Sequence, residues 1–222
     1  MQRLEAEATL DEQAMNPELN ALLERPFDKN RFEAWSEGKT GWPFFDACMR
    51  SLQATGWINF RMRAMLQSIA SYTLWLPWRA SGSYLAKQFL DYEPGIHWSQ
   101  IQMQSGVTGI NSIRAYSIVK QSIDQDPNGE FIKRWVPELN LVPTEHIHQP
   151  WLMSTKEQQK ASCIIGIDYP EPIVDEKITR KQGVSQAYKA KANAEAKLRS
   201  KQVYLVHGSR KRSRFQKASH LK

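Results

Sequence analysis

The chain contains few cysteines and no long apolar segment. Cys48 and Cys163 are the two cysteines among 222 residues. Because they are far apart in sequence, a disulfide framework is not expected, and a four-cysteine zinc or iron–sulfur site cannot be assembled from this chain. No run of about eighteen apolar residues occurs, and the opening MQRLEAEATLDEQAMNPEL is polar and acidic. We therefore expect a cytoplasmic protein without a metal site, a membrane span or a secretory signal.

Positive charge is concentrated toward the C-terminal end. Residues 177–222 contain 14 of the 30 Lys and Arg residues and a single acid, Glu195, which leaves 16 basic and 22 acidic residues before them. The densest cluster is HGSRKRSRFQK, residues 207–217. Two interpretations are open: a solvated charged helix, or a surface that contacts nucleic-acid phosphates without sequence preference.

Apolar residues recur at helical spacing through most of the chain, and nothing indicates a sheet. The pattern predicts helices over Pro43–Leu52, Asn59–Trp75 and Ser81–Asp91. A long irregular stretch is expected from Pro94 to Gly109. A helix over Val184–Tyr204 has a thin apolar stripe, so we expect it to pack weakly or to stand clear of the body. The predicted fold class is all-α.

Six sequence blocks follow one another between Gly38 and Trp151. They read GKTGWPFFDACMRSLQATGW, FRMRAM, LPWR, FLDYEPGIHWSQIQMQSG, SIRAYSIVKQ and NGEFIKRWVPEL. Several blocks in one order are more specific than a single short motif. The series resembles the DNA photolyase/cryptochrome family over about residues 31–152, which corresponds to the C-terminal part of the family's multi-helical FAD-binding domain. The family's α/β antenna domain and the segment that holds the FAD phosphates have no counterpart in this sequence.

The resemblance implies five FAD-binding residues. Arg63 matches the arginine that pairs with the first acid of a D-x-D block, here Asp91, beside the flavin ring. Glu93 stands where the family has a second Asp, and Trp57 matches a tryptophan that lines the cofactor pocket. His97 falls at the position that faces the reactive N5 of the flavin, where a histidine could donate a proton or change charge near neutral pH. The alternatives are a purely structural ion pair between Arg63 and Asp91, and an ordinary loop histidine at position 97.

The resemblance also implies an electron-transfer residue. Trp78 matches the middle member of the family's chain of three tryptophans. Ile101 stands at the proximal position, and residues 25–27, at the distal position, include no tryptophan. The usual chain is therefore interrupted at both ends, and Trp75 and Trp98 are candidates for an alternative relay.

Three residues align with DNA-contacting positions of the family. Arg61 and Arg114 match positions that contact DNA phosphate, and Met103 aligns with a tryptophan that stacks on the lesion. Methionine can pack against a base but stacks less well than tryptophan. The implied partner is DNA, in the family's case damaged DNA.

The predicted organisation has three parts: a polar segment at residues 1–30, the C-terminal part of the FAD-binding domain at 31–172, and a basic helical or disordered tail at 173–222. The leading interpretation is a photolyase/cryptochrome-like flavoprotein fragment related to light-driven DNA repair. If active, it would be a deoxyribodipyrimidine photolyase that works with a complementing N-terminal half. The alternatives are a non-catalytic light or redox sensor and a helical remnant that binds nucleic acid through its tail. We expect FAD to be the cofactor and to bind weakly or not at all to the isolated chain.

Overall fold

The computed structural model describes residues 9–207 of the chain, and they form the all-α fold that the sequence predicts. No sheet forms among these residues, in which an isolated bridge joins Ile165 and Tyr169. The helices in chain order are α1 (Pro17–Leu22), α2 (Lys29–Glu37), α3 (Pro43–Thr55), α4 (Phe60–Ser68), α5 (Trp78–Gln88), α6 (Pro94–Ser105), α7 (Ile118–Gln125), α8 (Glu130–Trp135), α9 (Thr155–Lys160), α10 (Glu176–Ala192) and α11 (Ala194–His207). A π-helical turn, Ile69–Thr73, extends α4, and 3-10 turns lie at Pro137–Leu139 and Pro150–Leu152.

Helix α3 is buried along most of its length and packs against α2, α7 and α8. It begins with Pro43, whose fixed φ suits the first helical position. Its first turn buries the carboxylate of Asp46, which accepts hydrogen bonds from the backbone N–H groups of Thr40 and Gly41 and from the hydroxyl of Tyr169. This carboxylate ties two loops to the start of the helix. Gly56 ends the helix with φ 69°.

Helix α6 occupies the region that we expected to be irregular, so that expectation is wrong. Pro94 takes the first helical turn, and the Glu93 side chain caps the helix by accepting a hydrogen bond from the N–H of Ile96 at 2.7 Å. The spacing of apolar residues does not predict this helix, because the residues buried on it include the polar His97, Gln102 and Gln104. A helix whose buried face is partly polar has no clear apolar stripe.

The N-terminal residues belong to the same core as the rest of the described chain. Leu10, Leu19 and Leu23 are buried in it. The side-chain amide of Gln102, on α6, makes hydrogen bonds to this segment. Its Oε1 accepts from the N–H of Met15, and its Nε2 donates to the Leu10 carbonyl at 2.7 Å. The boundary proposed at residue 30 therefore does not coincide with a break in packing. Residues 1–8 of that segment lie outside the described range.

Helix α10 packs closely on the π-helical turn, in contrast to the weak packing that we expected. Its thin stripe consists of Gly183, Ala187 and Ala190, all buried. Small residues give little apolar signal, but they allow close approach of two backbones. An added Cβ at Gly183 would lie 2.1 Å from the carbonyl oxygen of Tyr72. The basic cluster at 207–217 lies outside the described residues except for His207.

The described helices include none that is long and apolar enough to cross a membrane. Within residues 9–207, His, Cys, Asp and Glu side chains form no group of three that could hold a metal ion.

Candidate functional site

Helices α4 and α6 line a cavity of about 360 Å³. Four lining residues on each helix stand at positions i, i+3, i+4 and i+7, which lie on one helical face. The face from α4 consists of Phe60, Arg63, Ala64 and Gln67, and the face from α6 consists of His97, Gln100, Ile101 and Gln104. The loop segments 57–59 and 91–93 complete the wall together with Leu85, Phe89 and Ile96. All five residues predicted to bind FAD therefore line one cavity.

Two loops place the residues at the cavity mouth. The N–H of Leu90, after α5, donates to the carbonyl of Gly56, after α3, at 3.0 Å. The left-handed φ of Gly56 and the closeness of Leu90, whose Cγ would lie 2.4 Å from an added Cβ, both require glycine here. This contact brings Trp57 and Asp91 to the same rim. The Trp57 side chain is 58% exposed, so it lies at the mouth rather than in the core.

Arg63 is held by three contacts. Its Nη2 donates to Oδ2 of Asp91 at 2.9 Å, and its Nε donates to the carbonyl of Ile58 at 2.8 Å. The guanidinium lies 4.3 Å from the ring centroid of Phe89. The hydrogen bond from Arg63 holds the pKa of Asp91 below its ordinary value. The carboxylate is therefore ionised at neutral pH, and the pair presents fixed charges at the cavity wall.

His97 is buried, and its Nε2 lies 2.9 Å from the carbonyl oxygen of Gly82. Because a carbonyl oxygen only accepts, Nε2 carries the hydrogen of this bond. Burial lowers the pKa of His97, with a smaller contribution from the positive charge of Arg63. The neutral imidazole that results has Nδ1 as its remaining polar atom, a hydrogen-bond acceptor. The change of charge expected near neutral pH is thus displaced to lower pH.

Three cavity-lining glutamines have a buried side-chain oxygen without a partner among the described residues: Gln67, Gln100 and Gln104. The amide nitrogen of Gln67, by contrast, donates to the hydroxyls of Ser81 and Ser105, each at 3.0 Å. Buried acceptors without donors are costly, so they indicate space for a water or a ligand. Sequence reasoning missed these residues. Their spacing was the available signal, since Gln67 follows Arg63 by four positions and Gln104 follows His97 by seven.

The donor and acceptor set suits a planar heterocycle with polar edges. Arg63 supplies a cationic donor, Asp91 and Glu93 supply carboxylate oxygens, and His97 supplies a neutral ring nitrogen. Apolar side chains from the loops and from Phe60 and Ile96 surround these groups. A flavin ring has both N–H and carbonyl groups on its edge and apolar faces, so the residues present fit this group.

Trp78, the electron-transfer candidate, lies outside the cavity. It is buried at the start of α5, and its Nε1 donates to Oδ1 of Asn20 at 2.8 Å. Trp98 lies between it and the cavity wall: the Trp98 ring centroid is 6.1 Å from that of Trp78 and 5.1 Å from that of His97. Trp75 instead packs under the guanidinium of Arg25, at 4.8 Å. Of the two alternative relay candidates, Trp98 is therefore the one whose ring contacts both Trp78 and the cavity-lining His97.

The three predicted DNA-contacting residues do not line the cavity. Arg61 is exposed on α4, and Arg114 is exposed in the loop between α6 and α7. The carbonyl of Arg114 accepts a hydrogen bond from the Ser68 hydroxyl at 3.0 Å, which fixes that loop against the end of α4. Met103 is half-buried on α6. Their roles remain predictions.

Comparisons with known proteins agree on one family. The family model described as "FAD binding domain of DNA photolyase" matches residues 1–190. A cryptochrome DASH from Gloeobacter violaceus is 36% identical over 149 residues, 67% of this chain and 30% of the relative. A deoxyribodipyrimidine photo-lyase from Escherichia coli is 37% identical over 163 residues, 71% of this chain and 32% of the relative. The crystal structure of a class III photolyase from Agrobacterium tumefaciens has a TM-score of 0.79 at 27% identity, covering 86% of this chain and 40% of that one. The chain spans about a third of the length of these curated relatives.

Proposed function

Because the chain belongs to the photolyase/cryptochrome family and carries its FAD-binding domain, we propose that it forms one wall of an FAD site used in light-driven DNA repair or light sensing. The supporting observation is that α4, α6 and two loops gather Trp57, Arg63, Asp91, Glu93 and His97 around one cavity. In this proposal FAD supplies the light-driven electron donation.

The chain's own residues have separate roles in this proposal. Arg63 and Asp91 orient the flavin edge through fixed charges, and Glu93 adds a carboxylate whose position is set by its helix cap on Ile96. Neutral His97 accepts a hydrogen bond at Nδ1. Trp98 and Trp78 would carry an electron between the cavity wall and the start of α5, because their rings are in edge contact.

The rim of the cavity supports the proposal that a further protein segment completes the site. The side chains of Trp57, Phe60 and Ile96 are 58–63% exposed around the mouth. Exposed aromatic and aliphatic groups beside a ligand site are typical of a surface that another element covers. We infer that a complementing N-terminal half of the family type, which would hold the FAD phosphates, packs on this rim.

Co-expression with such a half tests the proposal. The two polypeptides are purified together, and flavin absorbance is measured in the complex after gel filtration, followed by repair of a pyrimidine-dimer oligonucleotide under blue light. The proposal expects retained flavin, and loss of most of it in Arg63→Gln. A complex that forms without flavin, or flavin retained equally in the variant, would contradict it.

A second candidate function is nucleic-acid binding through the C-terminal helices. Residues 176–207 contain eight Lys and Arg residues and two acids, and helices α10 and α11 fix most of them at the surface. Three of these basic residues already bind within the protein: Arg180 to Glu176, Lys191 to the Asn111 carbonyl and Arg199 to Gln202. The others are available for sequence-independent phosphate contacts.

Neutralising exposed lysines tests this candidate. Lys181→Gln combined with Lys201→Gln should weaken single-stranded DNA binding and lower its salt dependence, whereas Arg61→Gln combined with Arg114→Gln should have less effect. Filter binding at two salt concentrations distinguishes the surfaces. A larger loss in the second pair would assign binding to the family-type positions Arg61 and Arg114 instead.

A further inference from the structure

A second cavity, of about 390 Å³, lies at the start of α5, and Trp78 is the one lining residue that the sequence predicted as part of a site. It is lined by Asn20 and Arg25 from the N-terminal segment and by Pro77, Trp78 and Arg79 from the first turn of α5. We call it the arginine cavity. It shares Trp78 with the proposed electron path but does not include residues of the flavin wall.

Arg25 is a buried cation without an anionic partner. It is 6% exposed, and no carboxylate lies within salt-bridge distance of it among residues 9–207. Its Nε and Nη2 donate to the carbonyls of Ser71 and Ser105, at 3.1 and 2.9 Å. Burial lowers the pKa of Arg25 to about 10, so it stays charged at neutral pH. Its Nη1 donates to no group in the described residues and is not an enclosed atom, so it is free to donate to a ligand in the cavity.

Other donors face the same cavity. Asn20 accepts from the Trp78 indole at Oδ1, and this bond leaves its Nδ2 without an acceptor among residues 9–207. Arg79 is held over the Trp78 ring, with its guanidinium 5.1 Å from the ring centroid, and it donates to the Glu12 carbonyl. Helix α5 has eleven residues, and no side chain caps its first N–H groups. A helix start of this kind favours an anion.

We propose that the arginine cavity binds a small phosphate-bearing ligand. Arg25 and Arg79 neutralise its charge, while Asn20 and the first N–H groups of α5 orient its oxygens. A tetrahedral oxyanion suits this set because the donors come from two arginines, an amide and a helix terminus, and therefore from several directions. Glu24 also lines the cavity, and its exposed carboxylate disfavours ligands that carry several additional negative charges.

Calorimetric titration of the full chain with inorganic phosphate, at constant ionic strength in chloride buffer, tests this site. We expect saturable binding in the millimolar range or tighter, weakened at least fivefold in Arg79→Gln. Arg134→Gln is the matched control, because Arg134 is also an exposed arginine stacked on an indole, 5.6 Å from the ring centroid of Trp135. Arg25→Lys keeps the charge but removes the forked donors, so it should weaken binding as well.

Glycerol 3-phosphate, titrated in parallel, distinguishes the source of the phosphate. Tighter binding of glycerol 3-phosphate than of inorganic phosphate indicates a phosphomonoester, and the reverse order indicates the free ion. The proposal is overturned if neither gives saturable binding up to about 10 mM. It is equally overturned if Arg79→Gln binds as the wild type does, or if Arg134→Gln loses as much affinity as Arg79→Gln.

Discussion

At the scale of single residues, we expect the ion pair between Arg63 and Asp91 to contribute more to ligand affinity than to the free energy of unfolding. The Asp91 side chain is 52% exposed, and the bond spans two elements at the cavity rim. An ion pair this exposed contributes about 0–1 kcal/mol to stability. Its value lies in presenting a guanidinium and a carboxylate in a fixed relation.

Asp91→Asn separates these two roles. We expect the free energy of unfolding to fall by less than about 1 kcal/mol, while FAD affinity in the complemented protein falls about tenfold through loss of a charge-assisted contact. Urea unfolding and flavin fluorescence measure the two quantities. Asp124→Asn, which removes the surface pair with Lys120, is the control and should change neither by much. A large loss of stability in Asp91→Asn would make the pair structural.

His97 makes stability depend on pH in a defined direction. Its folded-state pKa is lowered from 6.5 by burial, so the folded protein binds the proton less readily than the unfolded chain. Its stabilising contribution is therefore present above about pH 6.5 and is lost as the pH falls through the folded pKa. Wild type should lose more unfolding free energy than His97→Gln when urea melts at about pH 7.5 and about pH 5 are compared.

The pKa shift of Asp46 changes stability with pH in the opposite direction to that of His97. Wild type must therefore be compared with His97→Gln to separate the contribution of His97 from that of Asp46. Burial raises the pKa of Asp46 from 3.8 to about 6. Its contribution is present below pH 3.8 and is lost as the pH rises through about 6. Equal acid sensitivity in wild type and His97→Gln would show that the His97 imidazole is not held neutral by its surroundings.

At the scale of elements, the start of α3 depends on the buried Asp46 carboxylate. Tyr169 donates its hydroxyl to Oδ2 of that carboxylate and joins the loop before α10 to the helix. Tyr169→Phe should lower the free energy of unfolding by about 1.5–3 kcal/mol, because the acceptor is charged and buried. Tyr188→Phe, at a tyrosine that is 58% exposed, should have almost no effect in the same urea melts. Similar losses in both variants would contradict this role of Tyr169.

Helix α10 packs closely on the π-helical turn because Gly183, which has no side chain, lets the two backbones approach each other. Alanine is favoured over glycine in a helix by about 1 kcal/mol. Even so, Gly183→Ala should destabilise the protein, because its Cβ would lie 2.1 Å from a backbone oxygen of the π-helical turn. Ser185→Ala, at an exposed position of the same helix, should be neutral or slightly stabilising. If thermal melts show that Gly183→Ala is stabilised like Ser185→Ala, α10 does not dock as described.

These elements show how far the sequence predicted the structure. The ordered blocks predict Arg63, Asp91 and His97 as site residues, and these three residues line one cavity, while their binding roles stay predictions. Helix α6 was missed because its inner face is polar, and the docking of α10 was missed because glycine and alanine carry little hydrophobic signal. The cavity glutamines were missed because an amide side chain is not distinctive until its partners, or their absence, are known.

At the scale of the whole molecule, we propose that the chain presents one face of a ligand site. The described residues line a cavity with charged and polar groups, and exposed apolar side chains surround its mouth. The chain covers about a third of the length of its curated relatives. We propose that a complementing half holds the ADP portion of FAD, so much of the binding free energy of FAD would not be available to this chain alone.

Titration of FAD with the purified chain, followed by flavin fluorescence, tests whether the cavity between α4 and α6 is one wall of the FAD site. We predict weak quenching with a dissociation constant above about 10 μM, with binding further weakened by Arg63→Gln and unchanged by the surface control Arg134→Gln. Submicromolar, stoichiometric binding would show that the chain holds the whole cofactor by itself. Binding that is unaffected by Arg63→Gln would show that the cavity between α4 and α6 is not the flavin wall.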